Sequence, residues 1–240
     1  ITEFLPISST GHLILVNQWL SFEQSFTVMF DIVIQLGAIL AVVVYFWYRL
    51  WPLNKDIIQK TIVGVIPAIV LGGLLGGWIE EKLFNPWVVA GALILGGLFL
   101  IYLEKRQNKP HFNSLSEIPW QVAFYIGLIQ SVSMIPGTSR AAATIIGGLL
   151  LGFKRKTIVE FSFLLAVPTM LAATALDLIK HRTLFSSSQT GFLLTGFATA
   201  FLVALLSVKW LLYYIKNHSF FIFGVYRILA ALIFFFWLVY

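Results

Sequence analysis

The chain has no cysteine, and only 11% of its 240 residues are charged. The first absence excludes disulfides and thiol catalysis. The second excludes an ordinary soluble domain, which at this length carries roughly twice that charged fraction. A Walker loop and a dinucleotide fingerprint are also missing, so the nucleotide chemistry tied to those motifs is not expected. The net charge of +6 is not gathered into a basic cluster on a polar domain, which argues against nucleic acid as a partner. No cleavable signal peptide is recognisable. Because the chain starts at Ile1, inside what reads as a motif, a preceding N-terminal helix is expected.

What is present is apolar: 59% of the residues are hydrophobic. Runs long enough to span a bilayer recur at about 28–50, 61–79, 87–104, 157–179, 190–215 and 220–240. At roughly 20 residues per span, these give six transmembrane helices. Trp47, Tyr48, Trp51, Trp78, Trp87, Trp120 and Trp237 lie near the ends of the runs, as interfacial aromatic belts require. The fold class expected is an all-α, polytopic membrane protein forming a single integral membrane domain.

Two apolar segments fit no simple span. Residues 7–20 are too short to cross, and residues 118–152 are broken at Pro136-Gly137. Both read as re-entrant helical hairpins, which a membrane tolerates only where the broken backbone is buried in protein or faces a water-filled cavity. With the order re-entrant, three spans, re-entrant, three spans, one side holds Arg49, Lys55, Lys60, Lys105, Arg106, Lys109, Lys154, Arg155, Lys156 and Lys216. The other holds Lys82, Lys180 and Arg182. Ten cations against three place the first group in the cytoplasm. The first hairpin then enters from outside and the second from the cytoplasm, the pattern of an inverted-topology repeat with its site near the midplane. Repeat one covers about 1–104 and repeat two about 118–240. The interval from Pro6 to Asp31 is 25 residues and that from Pro136 to Glu160 is 24.

The chemistry-bearing residues sit at the two breaks. Leu5-Pro6-Ile7-Ser8-Ser9-Thr10-Gly11-His12 and Ile135-Pro136-Gly137-Thr138-Ser139-Arg140 each run from an aliphatic residue and a proline, through hydroxyl residues, into an apolar helix. Helix N-termini attract anions, and an arginine adds a fork suited to phosphate. Glu3, Ser9 and His12 could form a nucleophile with a base and an orienting group, or Glu3 could hold a divalent cation. Simple capping by Ser8 or Ser9 accounts for the same residues without chemistry. Arg140 falls in the first turn of its helix, where the macrodipole disfavours a cation. A bound anion resolves that conflict; so would a carboxylate partner among Glu3, Asp31 and Glu160. Gln35, Gln130 and Glu160 read as helix–helix hydrogen-bonding groups, and the paired glycines at 72–73, 76–77, 96–97 and 147–148 as close helix packing. His111, His181 and His218 have no ligand-spaced partners.

Residues 2–12 and 136–140 closely resemble the two signatures of the bacterial undecaprenyl-diphosphate phosphatase family linked to bacitracin resistance, and Phe161-Ser162-Phe163-Leu164-Leu165-Ala166-Val167-Pro168 looks like that family too. The resemblance spans essentially the whole chain. It implies a multi-pass enzyme of the bacterial inner membrane that removes the terminal phosphate of the C55 isoprenyl diphosphate, giving the monophosphate that carries cell-wall precursors. It implies catalytic roles for Glu3, Ser9, His12 and Arg140, and phosphate binding by Ser8, Thr10, Thr138, Ser139 and Thr144. A divalent Mg²⁺ or Ca²⁺, held in part by Glu3, is the cofactor it suggests. The partners implied are a polyprenyl diphosphate lipid and the membrane, with a homodimer left open. The family's first motif carries a second Glu that would fall two residues before Ile1. Ala141 stands where the family usually has Ser. The nucleophile is open between Ser9, His12 and water. The architecture alone also suits a transporter or flippase for a phosphorylated carrier lipid. An acid-phosphatase type of site is excluded, because no His follows Arg140 until His181.

Overall fold

The computed structural model describes residues 1–20, 24–50, 55–106, 110–181 and 189–239. Trp51, Lys109 and Arg182, counted above, lie outside these residues. Ten α-helices follow in order among the described residues: α1 (Ser9–Leu20), α2 (Gln24–Tyr45), α3 (Trp47–Leu50), α4 (Lys55–Leu83), α5 (Pro86–Lys105), α6 (Trp120–Gln130), α7 (Arg140–Leu150), α8 (Arg155–Lys180), α9 (Thr190–Tyr214) and α10 (Phe221–Val239).

Five of these, α2, α4, α5, α8 and α9, are long and apolar enough to cross a membrane. The last of the six runs expected from hydropathy forms α10, a shorter apolar helix among the described residues. The expected span 28–50 is also divided: Phe46 separates α2 from the one-turn α3. The helices that cross show apolar side chains outward, such as Leu74 and Ile69 on α4 and Leu202 and Leu206 on α9. A soluble protein would bury these faces; a multi-pass membrane protein presents them to lipid. Trp47, Tyr48, Trp78, Trp87 and Trp120 are likewise exposed near helix ends.

Helix α8 is the innermost element. Ile158, Val159, Phe161, Ser162, Phe163 and Leu165 are all buried, and α8 packs on α2, α4 and α7. Helix α2 packs on α9, and α5 on α10. The α5–α10 crossing is made by glycine on glycine. A Cβ built on Gly97 would meet the Gly224 carbonyl oxygen at 2.7 Å, and one on Gly224 would meet the Gly97 carbonyl oxygen at 2.7 Å. Small residues let backbones approach this closely in membranes, where no hydrophobic drive separates helix from lipid. Gly147 and Gly148 likewise pack against Ile129 and Ile158. Gly73, Gly76 and Gly77 do not: a Cβ on any of them meets nothing within 4 Å. Their expected packing role is corrected, since that turn of α4 faces outward.

Polar side chains stitch the helices at their interfaces. Gln130 donates to the Thr169 hydroxyl at 3.1 Å, and the Thr174 hydroxyl donates to Gln35 at 3.4 Å. Both glutamines thus serve as helix–helix links. Lys156 and Glu160 pair within α8 at 3.9 Å. At one end of the bundle, buried Glu104 pairs with Arg155 and accepts the Phe220 backbone N–H at 2.9 Å. That end holds a cavity of about 630 Å³ lined by Arg106, Lys154, Arg155, Lys156 and Lys216. Basic residues from three separate loops therefore gather on one face.

Candidate active site

Both expected breaks are built around a serine with left-handed backbone. Ser8 and Ser139 each have φ of 72°, and they are the non-glycine residues with positive φ among the described residues. Such a conformation costs a non-glycine residue of order 1–3 kcal/mol and persists where surrounding structure imposes it. Each serine caps the helix that follows. The Ser8 hydroxyl accepts the Gly11 N–H at 3.4 Å and its carbonyl accepts the His12 N–H at 3.4 Å. The Ser139 hydroxyl accepts the Ala142 N–H at 3.2 Å and its carbonyl the Ala143 N–H at 2.9 Å. The correspondence is therefore Ser8 to Ser139, Ser9 to Arg140 and Pro6 to Gly137. This is one residue away from the proline-to-proline register suggested by the sequence.

In the second loop, Gly137 has φ of 87°, and a Cβ there would lie 2.5 Å from the Val89 carbonyl oxygen. Glycine is required on both counts. Arg140 opens α7. Its Nη1 donates to the Ser162 carbonyl at 3.1 Å, while Nε and Nη2 are buried without a hydrogen-bond partner. The guanidinium lies over the Phe4 ring at 5.9 Å, and Phe4 meets Phe163 edge-on at 5.4 Å. Buried N–H donors are rarely left unpaired. Here two of them sit at a helix N-terminus, beside backbone N–H groups that the helix itself cannot satisfy.

The first loop carries a different set. His12 Nδ1 lies 2.7 Å from the Ser8 carbonyl and Nε2 lies 2.7 Å from the Tyr226 hydroxyl, and the two rings stack at 5.7 Å. A carbonyl can only accept, so in the neutral imidazole Nδ1 holds the proton and Nε2 is the acceptor. Ser9 is half-buried and Thr10 exposed. No hydrogen bond joins Ser9 to His12 among the described residues.

The two loops meet. Phe4 from the first covers Arg140 from the second, and Val89 of α5 lies against both Gly11 and Gly137. The structure thus brings the loop that carries Glu3, Ser8, Ser9 and His12 against the turn that carries Ser139 and Arg140. Thr138 sits in the second turn, its N–H donating to the Ile135 carbonyl at 3.2 Å. Thr144 is fully buried, with its hydroxyl bonded to the Arg140 carbonyl at 3.0 Å and to the Ser162 hydroxyl at 2.5 Å. It faces α8, behind the arginine. Sequence reasoning missed Ser162, Tyr226 and Arg227. A polar residue inside an apolar run was the available signal for each, and a charge inside such a run is a functional mark by default.

No group of three His, Cys, Asp or Glu converges among the described residues; Glu3 precedes Phe4, whose ring lies under Arg140. That donor set makes no closed protein cage. It fits a hard cation bound through one carboxylate and the oxygens of a phosphorylated substrate.

A family model described as bacitracin resistance protein BacA matches residues 1–233. Among curated relatives, the undecaprenyl-diphosphatase of Sulfurihydrogenibium sp. (strain YO3AOP1) is 48% identical over 240 residues, covering 99% of this chain and 94% of the relative. The undecaprenyl-diphosphatase of Campylobacter jejuni serotype O:23/36 is 49% identical over 240 residues, covering 98% and 89%. That of Lachnoclostridium phytofermentans is 45% identical over 248 residues, covering 97% and 90%.

Proposed function

The chain belongs to the BacA family of bacitracin-resistance proteins, and on that footing we propose how its two polar loops divide the work. It is a multi-pass membrane enzyme that hydrolyses undecaprenyl diphosphate to undecaprenyl phosphate and inorganic phosphate. This recycles the lipid that carries cell-wall precursors. The bacterial inner membrane is the location that reading entails, with the basic cavity at the cytoplasmic end as the positive-inside rule requires.

The observation that carries the site assignment is Arg140: two buried, unbonded guanidinium N–H groups at the N-terminus of α7. Arg140 and the first N–H groups of α7 and α1 grip the diphosphate, with Ser139 and Ser8 fixing the turns that aim those groups. Thr138 and Thr10 line the entrance. Thr144 acts behind the arginine, through Ser162, whose carbonyl holds Nη1. Charge on the transferring phosphoryl group is the main catalytic demand of this chemistry, and a guanidinium in a dry site meets it.

Ser9, at the equivalent position in the first loop, supplies the attacking oxygen. Its Oγ forms a bond to the terminal phosphorus as the bond from that phosphorus to the bridging oxygen breaks, releasing undecaprenyl phosphate. The hydroxyl proton passes to His12 Nε2, which exchanges its contact with the Tyr226 hydroxyl for it. Water then attacks the phosphoserine, giving hydrogen phosphate and Ser9 with its hydroxyl, and His12 releases the proton it took to solvent. Glu3 would hold a Mg²⁺ or Ca²⁺ that offsets diphosphate charge when bound.

The six-span, two-hairpin inverted repeat is supported by packing. The matched pairs α2–α9 and α8–α4 have equivalent neighbours, and α5 and α10 cross glycine to glycine. The test of function is phosphate release from the C55 diphosphate by full-length protein in detergent, with Mg²⁺, Ca²⁺ or chelator, beside Arg140→Ala. Release that depends on Arg140 is expected. Substrate binding without release would make the fold a carrier of phosphorylated lipid instead.

A further inference from the structure

Arg227 is fully buried in α10, in the most apolar run of the chain, and it has no carboxylate within ion-pair distance among the described residues. All its hydrogen bonds go to backbone carbonyls. Nε donates to Leu93 at 3.3 Å and Nη2 to Ala92 at 3.0 Å, both on α5. Nη1 donates to Pro6 at 3.2 Å and Nη2 also to Gly137 at 3.1 Å. Pro6 and Gly137 are the equivalent residues of the two loops, each two positions before its left-handed serine. One guanidinium therefore grips the same carbonyl on both sides of the site. The fold makes room for it: a Cβ on Gly96 would lie 2.4 Å from Nη2.

We propose that Arg227 is a positioning residue that fixes the distance and angle between the Ser8–His12 turn and the Arg140 turn. Planarity matters here. The fork addresses four carbonyls in fixed directions, whereas a lysine ammonium is a single point with three donors. A residue that only stabilised the bundle would be indifferent to this. The proposal rests on the phosphatase reading, because its readout is turnover.

The experiment measures kcat and KM of the full-length enzyme in detergent for wild type, Arg227→Lys, Arg140→Ala and the double variant, alongside thermal midpoints. Wild-type phosphate release tests the reading; the variants test Arg227. Arg227→Lys is expected to lower kcat by about 10–100-fold with KM little changed, as misplacement of reacting groups by an ångström does. In the Arg140→Ala background the same change is expected to cost little, since the group being positioned is gone. Unchanged kcat in Arg227→Lys, or losses that multiply in the double variant, would overturn the proposal. Should Arg227 variants fail to fold, Gly96→Ala crowds the guanidinium in place, with Gly91→Ala as control. A Cβ at Gly91 meets nothing within 4 Å. The Gly96 variant is expected to lose at least tenfold in kcat relative to the Gly91 variant; equal kcat in the two would end the idea.

Discussion

The two loops share a backbone and differ in almost every side chain. Each places a serine at φ 72°, caps a helix with that serine's hydroxyl and carbonyl, and presents the carbonyl two residues earlier to Arg227. After the serine they part. The second loop continues with Arg140, half-buried, with Nε and Nη2 enclosed and unbonded. The first continues with Ser9 at the same position, then with His12 held between a carbonyl and a tyrosine. On the proposed reading, one loop holds the anion and the other reacts with it. A shared backbone frame carrying divergent side chains is how a duplicated element can serve two roles at one substrate.

That division makes graded claims. The largest concerns the anion side. Arg140→Ala should lower phosphate release about 10³-fold or more, the scale an arginine supplies in phosphoryl transfer. Arg140→Lys should recover only part of it, because a lysine cannot fork. A full rate from Arg140→Ala would mean that the two loops are not divided in this way. Next comes the reactive side. Tyr226→Phe keeps the stacked ring but removes the partner of His12 Nε2; a drop of about tenfold in kcat is expected, less than the roughly 10²–10⁴-fold that a positioned acid or base itself supplies, because the imidazole stays in place. No change in rate or in its pH profile would remove Tyr226 from the site.

The smallest effects should be the symmetric ones. Ser8→Ala and Ser139→Ala each remove a cap and leave an L side chain at positive φ, costing about 1 kcal/mol of stability apiece. Ser8→Gly and Ser139→Gly should cost only a few tenths, because glycine caps moderately and adopts this φ freely. Thermal or denaturant unfolding of the four variants would check this. Unequal costs in the two loops would show that their backbones are less alike than the hydrogen bonds indicate.

Much of this could be read from residue order. Apolar runs gave the crossing helices, the Pro-Gly break gave the gap between α6 and α7, and Arg140 stood out because its macrodipole conflict needed an anion. Ser8 as a cap followed from its place before an apolar helix. Other features were hidden for physical reasons. The register of the loops could not be seen, because prolines attract attention while positive φ at serine leaves no mark in sequence. The resemblance implied phosphate binding by Thr144, whereas its hydroxyl is taken up by the Arg140 carbonyl and the Ser162 hydroxyl, a pairing across helices that residue order does not show. Arg227 was marked by its charge inside an apolar run, but the carbonyls it pairs with are distant in sequence and carry no such mark. The glycine pairs carried one signal for two situations: Gly96 and Gly97 are pressed against α10, whereas Gly76 and Gly77 meet nothing.

The glycine crossing of α5 and α10 has one more implication. If Gly97 and Gly224 are equivalent, then three residues further on Leu100 is the counterpart of Arg227, and both are fully buried. Two identical subunits meeting at that axis would have to bring two arginines face to face in a space that admits one, or two leucines and no donor for either loop. Joining the halves in a single polypeptide lifts that restriction. On the proposed inverted repeat, covalent fusion is what allows a lone cation to stand where strict twofold symmetry would demand a pair.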